Sequence, residues 1–151
     1  AGGIKLAEEY LTNPFFVMNG NVFTKLSVHN KMKYHLDNEF DMTIAVKRYV
    51  YQIPYGIIKT NGNLVCSINE KPEIGYLING GIYCLNPDLI EVIPEGQYYE
   101  ITDLINSCIE RGLKVGYYEI KDYWMDIGRI EDYYKVNDDI QKIAATSEEG
   151  D

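Results

Sequence analysis

One stretch of sequence decides the fold class, namely Pro14-Phe15-Phe16-Val17-Met18-Asn19-Gly20-Asn21. Its short apolar run ends abruptly in a polar turn that contains glycine. A continuous apolar run of this length predicts a strand buried on both faces, as in a parallel sheet. Apolar residues then recur near helical spacing over residues 26–36 and predict a helix, and residues 42–46 predict a second apolar strand. Together these segments predict a β-α-β unit.

Turn and cap residues divide the rest of the chain. Asn61-Gly62-Asn63 separates segments 55–59 and 64–68, and Asn-Gly is a strong signal for a β-hairpin. The other predicted elements are a strand over 76–85, a short helix opened by Asn86 and Pro87 and running to about Ile93, a helix capped by Thr102 and ended by Gly112, a strand over 115–120 and a helix over 130–143. This order predicts an α/β fold with a mixed, mainly parallel sheet and an inserted hairpin, in which ligands gather at the carboxyl ends of strands.

Composition limits the classes of function. The chain has 151 residues, 46% of them apolar, which predicts one globular domain, with a polar and disordered tail over 144–151. A net charge of −9 argues against nucleic acid and anionic membranes as partners. No apolar run reaches membrane length, and the opening residues are not expected to form a signal peptide. Three cysteines without a C-x-x-C motif argue against a disulfide framework or a zinc site and predict reduced, buried thiols in the cytoplasm.

A few polar residues beside glycine or aromatic residues are candidates for chemistry. Asp126 follows Trp124 closely, and Glu70 and Lys71 place an anion next to a cation at a predicted strand end. With Gly56 for close approach, such a set could hold a sugar phosphate: glutamate for hydroxyls, lysine for phosphate and aspartate for Mg²⁺. Each residue also has a purely structural explanation, as a core tryptophan, a solvated ion pair or a β-bulge. His29 and His35 are expected to face solvent from the first predicted helix.

The order and spacing of these motifs resemble the sugar-1-phosphate nucleotidyltransferases, from Ala1 to about Ile140. Three motifs of that family are intact, namely Pro54-Tyr55-Gly56, Glu70-Lys71-Pro72 and the Trp-x-Asp-x-Gly motif that begins at Trp124. Two others are altered, because Asn79-Gly80-Gly81 stands for Asn-Ala-Gly and Asn19-Gly20-Asn21 stands for Asn-Gly-Asp. Five motifs in the same order carry the resemblance, although each alone is weak.

The resemblance implies a role for each matching residue. Lys71 and Asp126 are the expected catalytic residues, and Asp126 with Asn21 would hold Mg²⁺, with Mn²⁺ as an alternative. Asn21 stands where the family has an aspartate, so it offers an amide oxygen without a charge. The other implied contacts are Gly56, Glu70, Lys71, Asn79, Gly80 and Trp124 to the sugar phosphate, and Gly2, Asn19 and Gly20 to the nucleotide.

The resemblance also implies a Rossmann-like nucleotidyltransferase fold in which residues 1–151 form a single, partial domain, the carboxyl-side part of the catalytic domain. The family's glycine-rich phosphate loop is expected to precede Ala1. The implied partners are a sugar 1-phosphate and an NTP or NDP-sugar, and the implied reaction gives an NDP-sugar and pyrophosphate. We expect this activity to be impaired by Asn21 and by the missing loop.

Two other functions fit the same sequence. One is a non-catalytic sugar-nucleotide sensor or assembly module on the same fold. The other is a glycosyltransferase, for which Asn19-Gly20-Asn21 is a poor substitute for an Asp-x-Asp metal motif. Because the predicted strand at residues 15–18 would have one edge unpaired, we also expect either a homo-oligomer or a companion amino-terminal segment.

Overall fold

A computed structural model describes residues 1–148. The strands are β1 (Phe15–Met18), β2 (Val22–Thr24), β3 (Met42–Gln52), β4 (Ile57–Asn61), β5 (Leu64–Asn69), β6 (Glu73–Leu85), β7 (Val115–Glu119) and β8 (Trp124–Asp126). The helices are α1 (Gly2–Leu6), α2 (Val28–Asp37), α3 (Ile101–Glu110) and α4 (Ile130–Glu148), with short 3-10 helices at Glu8–Tyr10 and Pro87–Val92.

The central sheet has four strands in the order β1-β6-β3-β7. Strand β6 is antiparallel to both of its neighbours, whereas β3 and β7 are parallel, so three of the four strands run in one direction. The predicted mixed sheet is therefore confirmed. Strands β1 and β3 are parallel but not adjacent, because β6 lies between them. Within the described residues β1 pairs with β6 alone, so its other edge is free.

Strand β1 is less buried than its apolar sequence predicts. Phe15, Phe16 and Val17 are only half-buried and Met18 is exposed, so the prediction of burial on both faces was wrong. The reason is its position at the edge of the sheet, where the described residues supply one neighbouring strand, β6. The inner strands are instead fully covered, as in residues 80–85 of β6.

Two apolar clusters cover the two faces of the sheet. Tyr83 and Leu85 belong to the larger cluster, together with the buried face of α3 and the 3-10 helix after β6. Ala45 and Ile82 belong to the smaller cluster, which Leu26 helps to cover. Alternate residues of β6 thus point into different cores, as the period of a strand requires.

The local start and stop signals are largely confirmed. The 3-10 helix begins after Asn86 with Pro87 in its first turn, and Gly112 follows α3 with a φ of 74°. Thr102 is not the cap of α3, because Glu100 forms a capping box with Asp103 and Thr102 lies in the first turn. Helix α4 continues to Glu148, past residue 144 where the disordered tail is predicted to begin, and residues 149–151 lie outside the described residues.

The predicted hairpin is formed by β4 and β5, and Gly62 takes a φ of 56° in its turn. Along the chain it connects β3 to β6, whose long outer halves pair with each other as far as Gln52 and Glu73. Among the described residues, no helix combines the length and the apolar character needed to cross a membrane.

Helix α2 buries two polar side chains, His35 and Lys31, of which His35 was expected to face solvent. His35 is buried between the Thr43 hydroxyl, at 2.8 Å, and the side-chain oxygen of Asn86, at 3.0 Å, so its predicted exposure was wrong. Lys31 is also buried, and its Nζ donates to the Ile82 carbonyl at 2.8 Å. His29 is exposed as predicted.

The cysteines follow the prediction in part. Cys84 and Cys108 are buried thiols, and the three cysteines are free. Cys66 is exposed because it lies on β5, a strand whose residues are all exposed, so the expectation of burial was wrong for this thiol.

Candidate functional site

The candidate site is built around a bulge in β6 at Asn79-Gly80-Gly81. Tyr83 pairs with Ile44 of β3 and Asn79 pairs with Val46, so three residues of β6 face the single residue between them. Gly81 has a φ of 68°, and its N–H donates to Oδ1 of Asn79 at 2.9 Å. The asparagine side chain thereby closes the turn of its own backbone, which is a common use of this residue type.

A side chain at either glycine of the bulge would crowd neighbouring atoms. A Cβ on Gly80 would lie 2.9 Å from the carbonyl oxygen of Ala45 and 2.8 Å from the Cδ1 of Ile120. A Cβ on Gly81 would lie 2.9 Å from the side-chain nitrogen of Asn19, in a backbone conformation that already disfavours side chains. The two glycines therefore allow neighbouring segments to approach the backbone of β6 closely.

Two of these segments carry predicted site residues. The Asn19 N–H donates to the Gly81 carbonyl at 2.8 Å, and Trp124 Nε1 donates to the Gly80 carbonyl at 2.8 Å. Trp124 is half-buried, so its ring is fixed at the bulge by a polar contact as well as by packing. The structure thus brings Asn19, Asn79, Gly80 and Trp124 together from three separate parts of the chain.

The predicted metal ligands meet on the small sheet formed by β2 and β8. Val22 pairs with Asp126, and the Ile127 N–H donates to the Asn21 carbonyl at 2.8 Å. This register places Nδ2 of Asn21 2.5 Å from Oδ1 of Asp126, although the two residues are 105 positions apart. Both side chains are exposed, and Gly20 lies in the open turn before them.

This pair fits Mg²⁺ only as part of a coordination sphere. Carboxylate and amide oxygens are hard donors, and Mg²⁺ is commonly held by one or two carboxylates together with water and substrate phosphates. Among the described side chains, however, no three histidine, cysteine or acidic residues are grouped closely enough to hold a metal. Asp126 supplies one negative charge and Asn21 supplies none, so phosphate oxygens would have to complete the site.

Glu70, Lys71 and Gly56 lie together at the base of the hairpin. A Cβ on Gly56 would lie 2.7 Å from Oε2 of Glu70, so this glycine makes room for the carboxylate. Lys71 follows β5 with a φ of 44°, which turns the chain sharply after Glu70. Both charged side chains are exposed, and neither forms an ion pair or hydrogen bond with the described residues. Among the described residues, the hydrogen bonds of the Asn79 side chain go to Gly81 and Tyr83 and not to this group.

Gly2 is separated from the other residues predicted to bind the nucleotide. It lines a cavity of about 550 Å³ with Lys5 and Gly96, whereas Asn19 lines a different cavity of about 590 Å³ with Val17 and Tyr83. Gly2 does not line the second cavity, although its chain neighbours Ala1 and Gly3 do.

Several residues that support the site were not anticipated from the sequence. Nζ of Lys47 donates to the carbonyls of Ile120, at 3.2 Å, and Asp122, at 2.9 Å, which holds the segment before Trp124. The Tyr123 hydroxyl donates to Asp139 of α4 at 2.8 Å, and desolvation together with this carboxylate raises the pKa of Tyr123 to about 12. Adjacency to the Trp-x-Asp-x-Gly motif is the only sequence signal that could have pointed to Tyr123.

A model of the nucleotidyl transferase family matches residues 1–143. The chain belongs to this family. UTP–glucose-1-phosphate uridylyltransferase of Synechocystis sp. is 31% identical over 148 residues, which cover 89% of this chain and 38% of that protein. Mannose-1-phosphate guanyltransferase of Pichia angusta is 32% identical over 144 residues, which cover 88% of this chain and 38% of that protein. The resemblance to sugar-1-phosphate nucleotidyltransferases is thereby confirmed, and the chain spans about two fifths of the length of these relatives.

Solved structures share the fold of this chain. HddC from Yersinia pseudotuberculosis superposes with a TM-score of 0.63 at 29% identity, covering 89% of this chain and 59% of that protein. UTP-bound UGPase from Acinetobacter baumannii gives a TM-score of 0.59 at 19% identity, covering 87% and 52%, and supports the fold alone. The predicted α/β nucleotidyltransferase architecture is therefore confirmed.

Proposed function

We propose that this member of the nucleotidyl transferase family acts in the transfer of a nucleotidyl group from an NTP to a sugar 1-phosphate, giving an NDP-sugar and pyrophosphate. The observation that carries the proposal is the meeting of Asn19, Trp124 and the Asn79-Gly80-Gly81 bulge at one point of the sheet. The relatives named for uridylyl transfer to glucose 1-phosphate and guanylyl transfer to mannose 1-phosphate support the same reaction type. We assign the reaction to the cytoplasm, where NTP is available.

In this reaction a phosphate oxygen of the sugar 1-phosphate attacks the α-phosphorus of the NTP, and pyrophosphate leaves in line. Asp126 and the amide oxygen of Asn21 would hold Mg²⁺ or Mn²⁺, which would offset negative charge on the phosphates. Lys71 would pair with the phosphate of the sugar 1-phosphate. Its side chain is available, because no acidic residue of the described chain pairs with it.

The sugar and the nucleotide would lie on different sides of the bulge. Glu70 would accept hydrogen bonds from sugar hydroxyls, with Gly56 leaving room for its carboxylate. Asn79 would also contact the sugar. On the nucleotide side, the exposed turn at Asn19 and Gly20 would lie next to the phosphates or the base.

A non-catalytic sensor remains a second candidate because of one contact. Nδ2 of Asn21 donates to Asp126, so the only carboxylate of the proposed metal pair is already hydrogen-bonded by a neutral side chain. This contact favours a chain that binds sugar nucleotides but transfers nucleotidyl groups slowly.

The proposal is tested by ligand-dependent thermal stability and by pyrophosphate release. The purified protein is heated with glucose 1-phosphate, mannose 1-phosphate, UDP-glucose or GDP-mannose, with and without Mg²⁺, and is assayed for pyrophosphate with UTP or GTP. We expect stabilisation by at least one of these ligands, and its loss in Glu70→Ala and Lys71→Ala. Lys59→Ala, an exposed lysine of the same hairpin, is the matched control.

The outcomes separate the two candidates. Ligand-dependent stabilisation with pyrophosphate release supports the transferase, and stabilisation without release supports the sensor. If none of the sugar phosphates or sugar nucleotides stabilises the protein, both proposals are wrong.

A further inference from the structure

The hydrogen bonds around Asn79 determine how its side-chain amide is oriented. The backbone N–H of Gly81 can only donate, so the Asn79 atom 2.9 Å away from it must be the acceptor, Oδ1. The other end of the amide, Nδ2, lies 2.8 Å from the hydroxyl oxygen of Tyr83. Because an amide nitrogen only donates, the tyrosine oxygen accepts this bond, and one Nδ2 hydrogen has no partner in the described residues.

Tyr83 is a rigid partner for this amide. Its side chain is 1% exposed, and in the sheet it pairs with Val17 of β1 on one side and Ile44 of β3 on the other. Burial raises the pKa of Tyr83, so its phenol is neutral at physiological pH and its oxygen accepts the bond from Asn79. The tyrosine also lines the cavity that contains Asn19.

We propose that Tyr83 is a positioning residue of the sugar site, whose hydroxyl holds the Asn79 amide so that one N–H donor remains free for a ligand oxygen. The inference rests on the proposed function, because that function is what places Asn79 beside the sugar. Rotation about the last torsion of an asparagine is broad and roughly two-fold, so it needs partners on both sides to be fixed. Gly81 supplies one partner and Tyr83 supplies the other.

The chemistry of the free N–H defines what it recognises. A neutral donor suits a sugar hydroxyl oxygen or a phosphate oxygen, and both are present in a sugar 1-phosphate. Removing the Tyr83 hydroxyl leaves the core nearly unchanged in volume but frees the amide. The expected loss is therefore in affinity for the sugar phosphate and not in affinity for the nucleotide.

The test is a double-mutant cycle on the full chain, with glucose 1-phosphate and mannose 1-phosphate titrated separately by calorimetry. We expect Tyr83→Phe to weaken binding of the sugar 1-phosphate by about three- to tenfold, the usual range for one hydrogen bond. Affinity for UTP and GTP should stay unchanged. In an Asn79→Ala background, Tyr83→Phe should weaken binding no further. Tyr99→Phe is the matched control, because it removes a half-buried hydroxyl that bonds Ser107 instead.

Asn79→Asp is the second variant, in case Tyr83→Phe does not fold. The carboxylate accepts from the Gly81 N–H and from the Tyr83 hydroxyl, which can turn to donate, so the bulge is retained while the free donor is lost. We expect this variant to fold and to bind the sugar 1-phosphate at least tenfold more weakly.

The results distinguish the inference from the function on which it rests. If the parent protein binds neither sugar 1-phosphate, the proposed function and the inference are both wrong. If the parent binds but Tyr83→Phe or Asn79→Asp binds equally well, the inference alone is wrong. It is also wrong if Tyr83→Phe weakens binding equally in the Asn79→Ala background, because the tyrosine would then act by another route.

Discussion

The substitution Asn21→Asp tests the proposed metal pair directly. It replaces a hydrogen bond between Nδ2 of Asn21 and Asp126 by two neighbouring carboxylates. A hydrogen bond to a charged group contributes about 1.5–3 kcal/mol, and two like charges 4 Å apart repel by about 1 kcal/mol in water. Because both side chains are exposed, we take the lower part of this range and expect the free energy of unfolding without metal to fall by about 1–2 kcal/mol.

Mg²⁺ should reverse this effect. Two carboxylates attract a hard dication more strongly than one, so we expect Asn21→Asp to bind Mg²⁺ more tightly and to regain stability as Mg²⁺ is added. Urea denaturation with and without Mg²⁺ measures the change in the free energy of unfolding. Calorimetric titration in the presence of an NDP-sugar measures the Mg²⁺ affinity. Asn63→Asp, an exposed asparagine of the hairpin turn, is the control for charge alone. Equal Mg²⁺ affinities in parent and variant would remove Asn21 from the metal site.

Three further predictions follow from buried charge, close approach and the free strand edge. Desolvation lowers the pKa of Lys31 to about 7 and raises the pKa of Cys84 to about 11. We therefore expect the free energy of unfolding to rise by up to about 3 kcal/mol between pH 7 and 9 and to level off above pH 9. Denaturation measured across this pH range should show no such rise in Lys31→Met. Gly56→Ala should displace the Glu70 carboxylate, 2.7 Å from the new Cβ, and weaken sugar 1-phosphate binding in calorimetry with little change in Tm. The free edge of β1 should be paired by a second copy or a companion segment, and a monomer in light scattering with no companion peptide would contradict this.

The signs in the Lys31 prediction come from proton binding. Between pH 7 and 10.5 the unfolded chain holds a proton that folded Lys31 has lost, so raising the pH favours folding. Cys84 acts in the opposite sense between pH 9 and 11, because there the folded thiol keeps a proton that the unfolded chain has lost. Between pH 7 and 9, therefore, Lys31 changes the free energy of unfolding and Cys84 does not.

Local signals predicted much of the fold because the interactions behind them are local. Asn61 and Gly62 at the hairpin turn, Asn86 before the 3-10 helix and Gly112 after α3 all act within a few residues of their own position. Such turn and cap preferences require no knowledge of distant partners. The hairpin and the short helix were accordingly predicted with nearly the correct bounds.

The predictions fail where residues distant in the sequence determine whether a side chain is buried. Helical spacing of apolar residues placed Leu36 inside and His35 outside, whereas Leu36 is exposed and His35 is buried. Thr43 and Asn86 hydrogen-bond the imidazole, so the histidine is buried without loss of polar contacts. Neither partner can be assigned from the sequence of α2 alone.

The motifs predict the site residues as a group, and many of the polar atoms of these residues bond one another. Trp124 donates to the Gly80 carbonyl, and the Asn79 side chain is bonded to Gly81 and Tyr83. Part of the motif pattern therefore reflects the construction of the bulge and not ligand contact.

Gly80 is a site residue whose structural reason cannot be deduced from the sequence alone. In the sequence, Gly80 stands where the resembled family has the alanine of Asn-Ala-Gly, a residue with less backbone freedom than glycine. In this bulge, however, a Cβ would lie 2.9 Å from the Ala45 carbonyl oxygen, a backbone atom held in the centre of the sheet, and 2.8 Å from Ile120. The side chain of Ile120 can rotate away, but the carbonyl can move only if β3 and β6 separate. The glycine thus permits the close approach of these two strands at the point where Trp124 Nε1 donates to the Gly80 carbonyl.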